Sequence, residues 1–141
     1  MRGLRRRSRG EREAGAFLLG NSRSERVKHA IFYDELDPQA FASGAIMMDG
    51  KAYLKLWEYC KRRNARVVAD VHTHPSAWTG QSPIDMQNPA ISQVNHIALI
   101  VPYLAQRRMQ GLRGVGIHEY LGDHKWRTWE HDSGRVRLVP I

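Results

Sequence analysis

The chain is expected to fold as a single α/β domain in which a mixed β-sheet is flanked by two or three helices. Three observations carry that expectation. Valine-rich alternation over residues 66–73 marks a strand, and Gly50–Arg63 just before it repeats its apolar residues at helical spacing. Late in the chain two alternating runs meet at Gly122-Asp123, a hairpin signal. The 141 residues are enough for one sizeable core, and 42% hydrophobic with 26% charged residues is ordinary for a globular chain.

Taken in order, residues 4–12 read as a short helix or a frayed lead-in. They belong to a basic arm, residues 1–12, holding Arg2, Arg5, Arg6, Arg7, Arg9 and Arg12. Such an arm binds nucleic acid or an acidic partner in some proteins, but is more commonly a solvated tail. Nucleic-acid binding is therefore not the leading expectation, and the domain proper is placed at 13–141. The apolar run after the arm is short and lacks a cleavage site, which argues against a twin-arginine or secretory signal. Residues 14–19 form the first strand, 21–24 a turn, 27–33 the second strand, and 34–39 an acidic loop. Residues 41–48 are a third strand or an irregular edge.

Helix Gly50–Arg63 has Asp49 as its N-cap and Asn64 at its end. Tyr53, Leu56, Trp57 and Cys60 recur at helical spacing and are expected to face the sheet. Cys60 is read as core, since nothing local would activate its thiol. Residues 96–101 form a strand, 106–114 a basic loop able to flank a cleft, 115–121 and 125–130 the hairpin, and 135–139 a last strand.

The chemistry concentrates around residues 66–89. Side chains two apart on a strand share a face, so Val68, Asp70, His72 and His74 point the same way. Pro75 cannot continue a central strand, and the chain leaves the sheet there through a polar loop containing Gly80. Ser82 followed by Pro83 is a helix start, which puts Asp85 in the first turn, where it can reach back toward the two imidazoles. Two histidines and one carboxylate with an open fourth position are the pattern of a catalytic zinc site. Ser82 and Asp85 by themselves also satisfy a capping box, which needs no metal. Beside two histidines at this spacing the metal reading takes precedence.

His72-Thr73-His74-Pro75, six residues, Ser82, two residues, Asp85 resembles the JAMM motif, HxHP-x6-SxxD, of JAB/MPN-domain zinc metalloproteases. At ordinary residue usage five fixed positions coincide about once in three million starting points. Glu13-Ala14-Gly15-Ala16-Phe17-Leu18-Leu19-Gly20 resembles the family's ExGGxLxG element, with Ala16 in place of the second glycine. The resemblance covers nearly the whole chain. It implies the JAB/MPN fold, a cytidine-deaminase-like sandwich, and one catalytic Zn2+ held by His72, His74 and Asp85. It implies Glu13 as general base and then acid, with Glu11 as runner-up, and Ser82 as hydrogen-bond donor to the oxyanion.

The activity implied is hydrolysis of an amide or isopeptide bond after the tail of a ubiquitin-like protein. The segment is most similar to JAB proteins of prokaryotic ubiquitin-like conjugation systems, some tied to anti-phage defence, so conjugates and E1- or E2-like proteins are the expected partners. Two alternatives stand beside it: a DNA-repair-associated branch using the basic arm on nucleic acid, and a non-catalytic MPN scaffold. A single cysteine excludes an internal disulfide and a four-cysteine zinc site, and suits a cytoplasmic setting. The lone cysteine also excludes the deaminase P-C-x-x-C signature. No apolar run approaches a membrane span. His118-Glu119 begins an HExxH pattern, but Gly122 occupies the second histidine's place. His29, His96, His118, His124 and His131 are read as surface or core residues, and Trp78 as an apolar wall beside the site.

Overall fold

The computed structural model describes residues 1–43 and 46–140. Six strands form one sheet: β1 Gly15–Asn21, β2 Val27–Phe32, β3 Ala65–Thr73, β4 Ile97–Val101, β5 Gly116–Gly122 and β6 Lys125–Trp129. Their order is β2-β1-β3-β4-β5-β6. β3 and β4 run parallel and the other neighbours antiparallel, so the sheet is mixed. Helices α1 Arg2–Ser8, α2 Tyr33–Leu36, α3 Gly50–Arg63 and α4 Pro83–Gln87 complete the domain with one 3-10 turn, Tyr103–Ala105. Among the described residues no helix is long and apolar enough to cross a membrane.

The central strands are apolar because both faces are covered. Every residue of β4 is buried, as a parallel strand with covered faces requires. Phe17, Leu19 and Leu56 are fully buried, each contributing about 1.5–3 kcal/mol on leaving water. α3 starts where the Asp49 carboxylate accepts the Ala52 N–H at 2.9 Å and stops at Asn64, whose φ of 47° is left-handed.

Its buried stripe differs from the expected one. Ala52, Leu56 and Cys60 face the sheet, Tyr53 is half-buried, and Trp57 is 46% exposed. The buried residues recur every four positions along one narrow stripe, and Trp57, about 100° round the helix from Leu56, falls outside it.

Other departures are local. Residues 2–8 form a short helix, one of the two expectations for the lead-in, but it ends at Ser8 and packs through Leu4 and Ser8 rather than being solvated. Tyr33 leaves β2 and opens α2, where Glu35 accepts the Phe32 N–H at 2.7 Å, so the expected acidic loop is partly helical. Of the segment 41–48, residues 44 and 45 lie outside the described residues, 41–43 are turn and 46–48 have no regular structure. The hairpin turn is Asp123-His124, both at positive φ (50° and 56°), one position later than expected. The last strand is absent: 135–140 have no regular structure. Arg135 instead reaches back to Glu119 at 2.8 Å.

Candidate metal centre

β3 delivers the two histidines. Ala69 to Thr73 pair with Ile97 to Val101 of β4, which fixes Asp70 and His72 on one face, level with Ala98 and Ile100. His74 lies just past the strand, yet its Nε2 is 3.3 Å from His72 Nε2. Asp85, in the first turn of α4, places Oδ2 3.3 Å from His74 Nε2 and Oδ1 3.6 Å from His72 Nε2. The ligand atoms of His72, His74 and Asp85 lie within 4.8 Å of one another.

The hydrogen bonds around this triad fit it to a cation. His74 Nδ1 is 3.3 Å from the Trp78 carbonyl oxygen. A carbonyl only accepts, so Nδ1 carries the proton and Nε2 presents its lone pair inward. That lone pair then faces a carboxylate oxygen, an acceptor against an acceptor, which a proton or a metal ion must bridge. The titration directions agree. Burial works against His74 protonation, but hydrogen bonding to Asp85 and the charge of Glu13 outweigh it and raise its pKa. Burial likewise opposes Asp85 ionisation, but hydrogen bonds with His72, His74 and Ser82 hold its carboxyl well below the usual carboxylate range. A divalent cation in this place would compete with that proton for the same lone pairs.

Ser82 has a definite task in this arrangement. Its N–H and hydroxyl both donate to Asp85 Oδ2, at 2.9 and 2.7 Å, while its oxygen accepts the Asp85 N–H at 3.1 Å. The capping box is thus present together with the cluster of His72, His74 and Asp85, and it orients the carboxylate. The hydroxyl proton points at Asp85 rather than into open space.

Glu13 lies two residues before β1, near enough for the charges of His72, His74 and Asp85 to act on it. Gly15 pairs with His72. Thr73 N–H donates to the Ala14 carbonyl, and Ala14 N–H to Thr73 Oγ1, both at 3.0 Å. Antiparallel register therefore carries Glu13 to the level of His74. Gly15 itself is required, because a Cβ there would run into the Tyr33 ring and the Val71 carbonyl. The Glu13 carboxyl is raised above its ordinary value, chiefly by burial, with Asp85 adding to this and the two histidines opposing it. Glu11 is exposed, in the turn after α1.

His96 and His118, read from the sequence as surface or core residues, take part in buried and half-buried hydrogen bonds next to the site. His96 and Asp70 are both buried and meet at 2.7 Å, with Tyr33 Oη 3.4 Å from the other carboxylate oxygen. His118 Nε2 donates to the Thr79 carbonyl at 2.8 Å and its Nδ1 accepts from Thr128 Oγ1 at 3.0 Å. Burial lowers the His118 pKa, consistent with that neutral form. The loop carrying Thr79 is thereby fastened to β5 and β6. Trp78 is 55% exposed and stacks on His74, with ring centroids 5.4 Å apart. A cleft of about 510 Å³ opens beside His72 and Asp85, with Asp70, Tyr53, Met48 and Trp126 among its walls. His29, His124 and His131 are exposed.

No family model matches the chain. Among solved structures it is similar to the solution structure of protein DSY2949 from Desulfitobacterium hafniense, a structural-genomics target. The TM-score is 0.61 over 92% of this chain and 84% of that one, at 16% identity. At that identity the likeness concerns the fold alone, a small α/β domain built on a mixed sheet.

Proposed function

We propose that the chain is a zinc-dependent peptidase or isopeptidase in which His72, His74 and Asp85 hold one Zn2+. The observation that carries the reading is the convergence of three ligand atoms within 4.8 Å, with the glutamate from the chain's beginning brought level with them. When bound, zinc supplies a Lewis acid that makes water available as a nucleophile near neutral pH.

The chain's own residues do the rest. Glu13 takes a proton from the attacking water and returns it to the leaving amine, a task that its raised pKa suits. Trp78 and Ser82 keep His74 and Asp85 oriented. The Ser82 N–H keeps its bond to Asp85 Oδ2 when the Ser82 hydroxyl turns from that oxygen to donate to the developing oxyanion. The cleft beside His72 receives the peptide.

The substrate class, an amide bond after the tail of a ubiquitin-like protein, follows from the resemblance of the HxHP…SxxD segment to JAB/MPN proteases. The nucleic-acid alternative is weakened because Arg5 and Arg7 are engaged in holding α1 to the domain. The decisive experiment combines elemental analysis of the purified chain with cleavage of ubiquitin-like fusion proteins. One equivalent of zinc, lost in Asp85→Ala, and cleavage lost in Glu13→Gln are expected. A chain with no zinc and no Glu13-dependent cleavage overturns the proposal.

A further inference from the structure

Between α1 and the metal centre lies a segment that the proposed chemistry does not use. After β4 the backbone makes a left-handed turn of three successive non-glycine residues, Tyr103, Leu104 and Ala105, at φ 54°, 53° and 59°. L side chains disfavour this region because Cβ crowds the following carbonyl. Such a run persists only where its surroundings over-determine it.

Its hydrogen bonds say what those surroundings are. On one side the segment grips the second histidine. His74 N–H donates to the Val101 carbonyl at 2.9 Å, Leu104 N–H to the His74 carbonyl at 2.8 Å, and Tyr103 N–H to the Ser76 carbonyl at 3.0 Å. On the other side it is tied to α1. Ser8 Oγ donates to the Leu104 carbonyl at 2.7 Å and Arg5 Nε to the Ala105 carbonyl at 2.9 Å, while the Gln106 amide donates to Ser8 Oγ at 2.9 Å. Leu104 thus touches both: its N–H holds His74 and its carbonyl is held by Ser8.

Ser8 also reaches the other half of the site. It is fully buried, and its carbonyl accepts the N–H groups of Glu11 and Arg12 at 2.9 and 3.1 Å, which starts the turn leading to Glu13. One buried serine therefore stands at the root of both His74 and Glu13.

We propose that Ser8 is a positioning residue of the metal centre: its hydroxyl, through the left-handed turn, fixes the His74 backbone, at the point where its own backbone begins the turn toward Glu13. On this view α1 is part of the site, not a tail appended to it. The inference rests on the metal reading given above, and its test keeps the two apart.

The test uses the full chain, with Co2+ as the metal probe, in wild type, Ser8→Ala, Arg5→Ala and, as control, Arg6→Ala on the exposed side of α1. Ser8→Ala is expected to bind Co2+ severalfold more weakly, less than the roughly 10–100-fold lost with a direct partner of a metal ligand, because Ser8 acts on His74 through Leu104. Its Co2+ absorption spectrum should shift, and the His74 and Leu104 amides should exchange hydrogen faster. Arg6→Ala should match wild type. A Ser8→Ala chain that melts earlier yet keeps wild-type Co2+ affinity, spectrum and His74 exchange overturns the proposal, because that is ordinary packing. Should Ser8→Ala fail to fold, Arg5→Ala decides by the same three readouts, since its side chain lies at the surface. Should wild type take up no Co2+, the metal reading falls by itself, and the exchange rates at His74 and Leu104 alone decide the role of Ser8.

Discussion

His74 Nδ1 and the carbonyl oxygen of Trp78, 3.3 Å apart, settle which nitrogen of His74 faces the ligand cluster. The bond comes from the backbone, so the Trp78 side chain only adds its stack on the imidazole. Trp78→Ala is expected to weaken zinc binding less than tenfold, whereas His72→Ala, His74→Ala or Asp85→Ala should abolish it. Competition against a chelating zinc indicator measures both.

Glu13→Gln separates binding from turnover. It should retain zinc while losing hydrolysis by at least about a hundredfold, the lower end of general acid–base contributions. The pH dependence of stability has a defined sign. Folding raises the Glu13 carboxyl, so its favourable contribution is complete below the unfolded value of about 4.3 and is lost as pH rises through the folded value. Metal-free Glu13→Gln should therefore melt with wild type at about pH 3.5 and above it at about pH 7.5. The rise should be about 1–3 °C, because the group is only half-buried and partly screened. Melting curves in chelator across that range check it.

His96→Ala leaves the Asp70 carboxylate buried without the donor that lies 2.7 Å away. An expected loss of about 2–3 kcal/mol follows from stranding a buried charged acceptor. Urea denaturation measures it.

Gly116 faces the ligand loop so closely that a Cβ there would run into the Thr79 carbonyl. Gly116→Ala must push the loop away from β5, breaking the Thr79–His118 bond, at an expected cost of about 1–3 kcal/mol. Weaker zinc binding should accompany the loss, and a variant that binds zinc as wild type does would show the loop to be slack.

The convergence of the three candidate ligands was legible because their geometry is local. Two histidines at strand spacing, a proline that ends the strand and a serine that starts a helix confine His72, His74 and Asp85 to one neighbourhood. Asp49 and Asn64 likewise announce both ends of α3. What stayed hidden depends on contacts distant in sequence. Nothing near His96 shows that it meets Asp70, and nothing near Ser8 shows that its hydroxyl reaches Leu104. The arginine content of α1 suggests a solvated tail because composition does not reveal that Leu4 and Ser8 find a buried seat. The run at 135–139 alternates like a strand, but no regular pairing forms there, and Arg135 is held by Glu119 instead.

The parallel pairing of β3 with β4 obliges the chain to travel back over the length of the paired strands between Thr73 and Ile97, a return usually made by a helix. Here the only helix on that return is the five-residue α4. A divalent cation joining His72 and His74 at the departure to Asp85 partway along would serve as a clip on this thinly supported crossing. Added zinc should accordingly protect residues 76–95 from proteolysis and a chelator should reverse that, while β1 and β2 stay resistant in both, the result expected if a cation at this place serves architecture as well as the proposed chemistry.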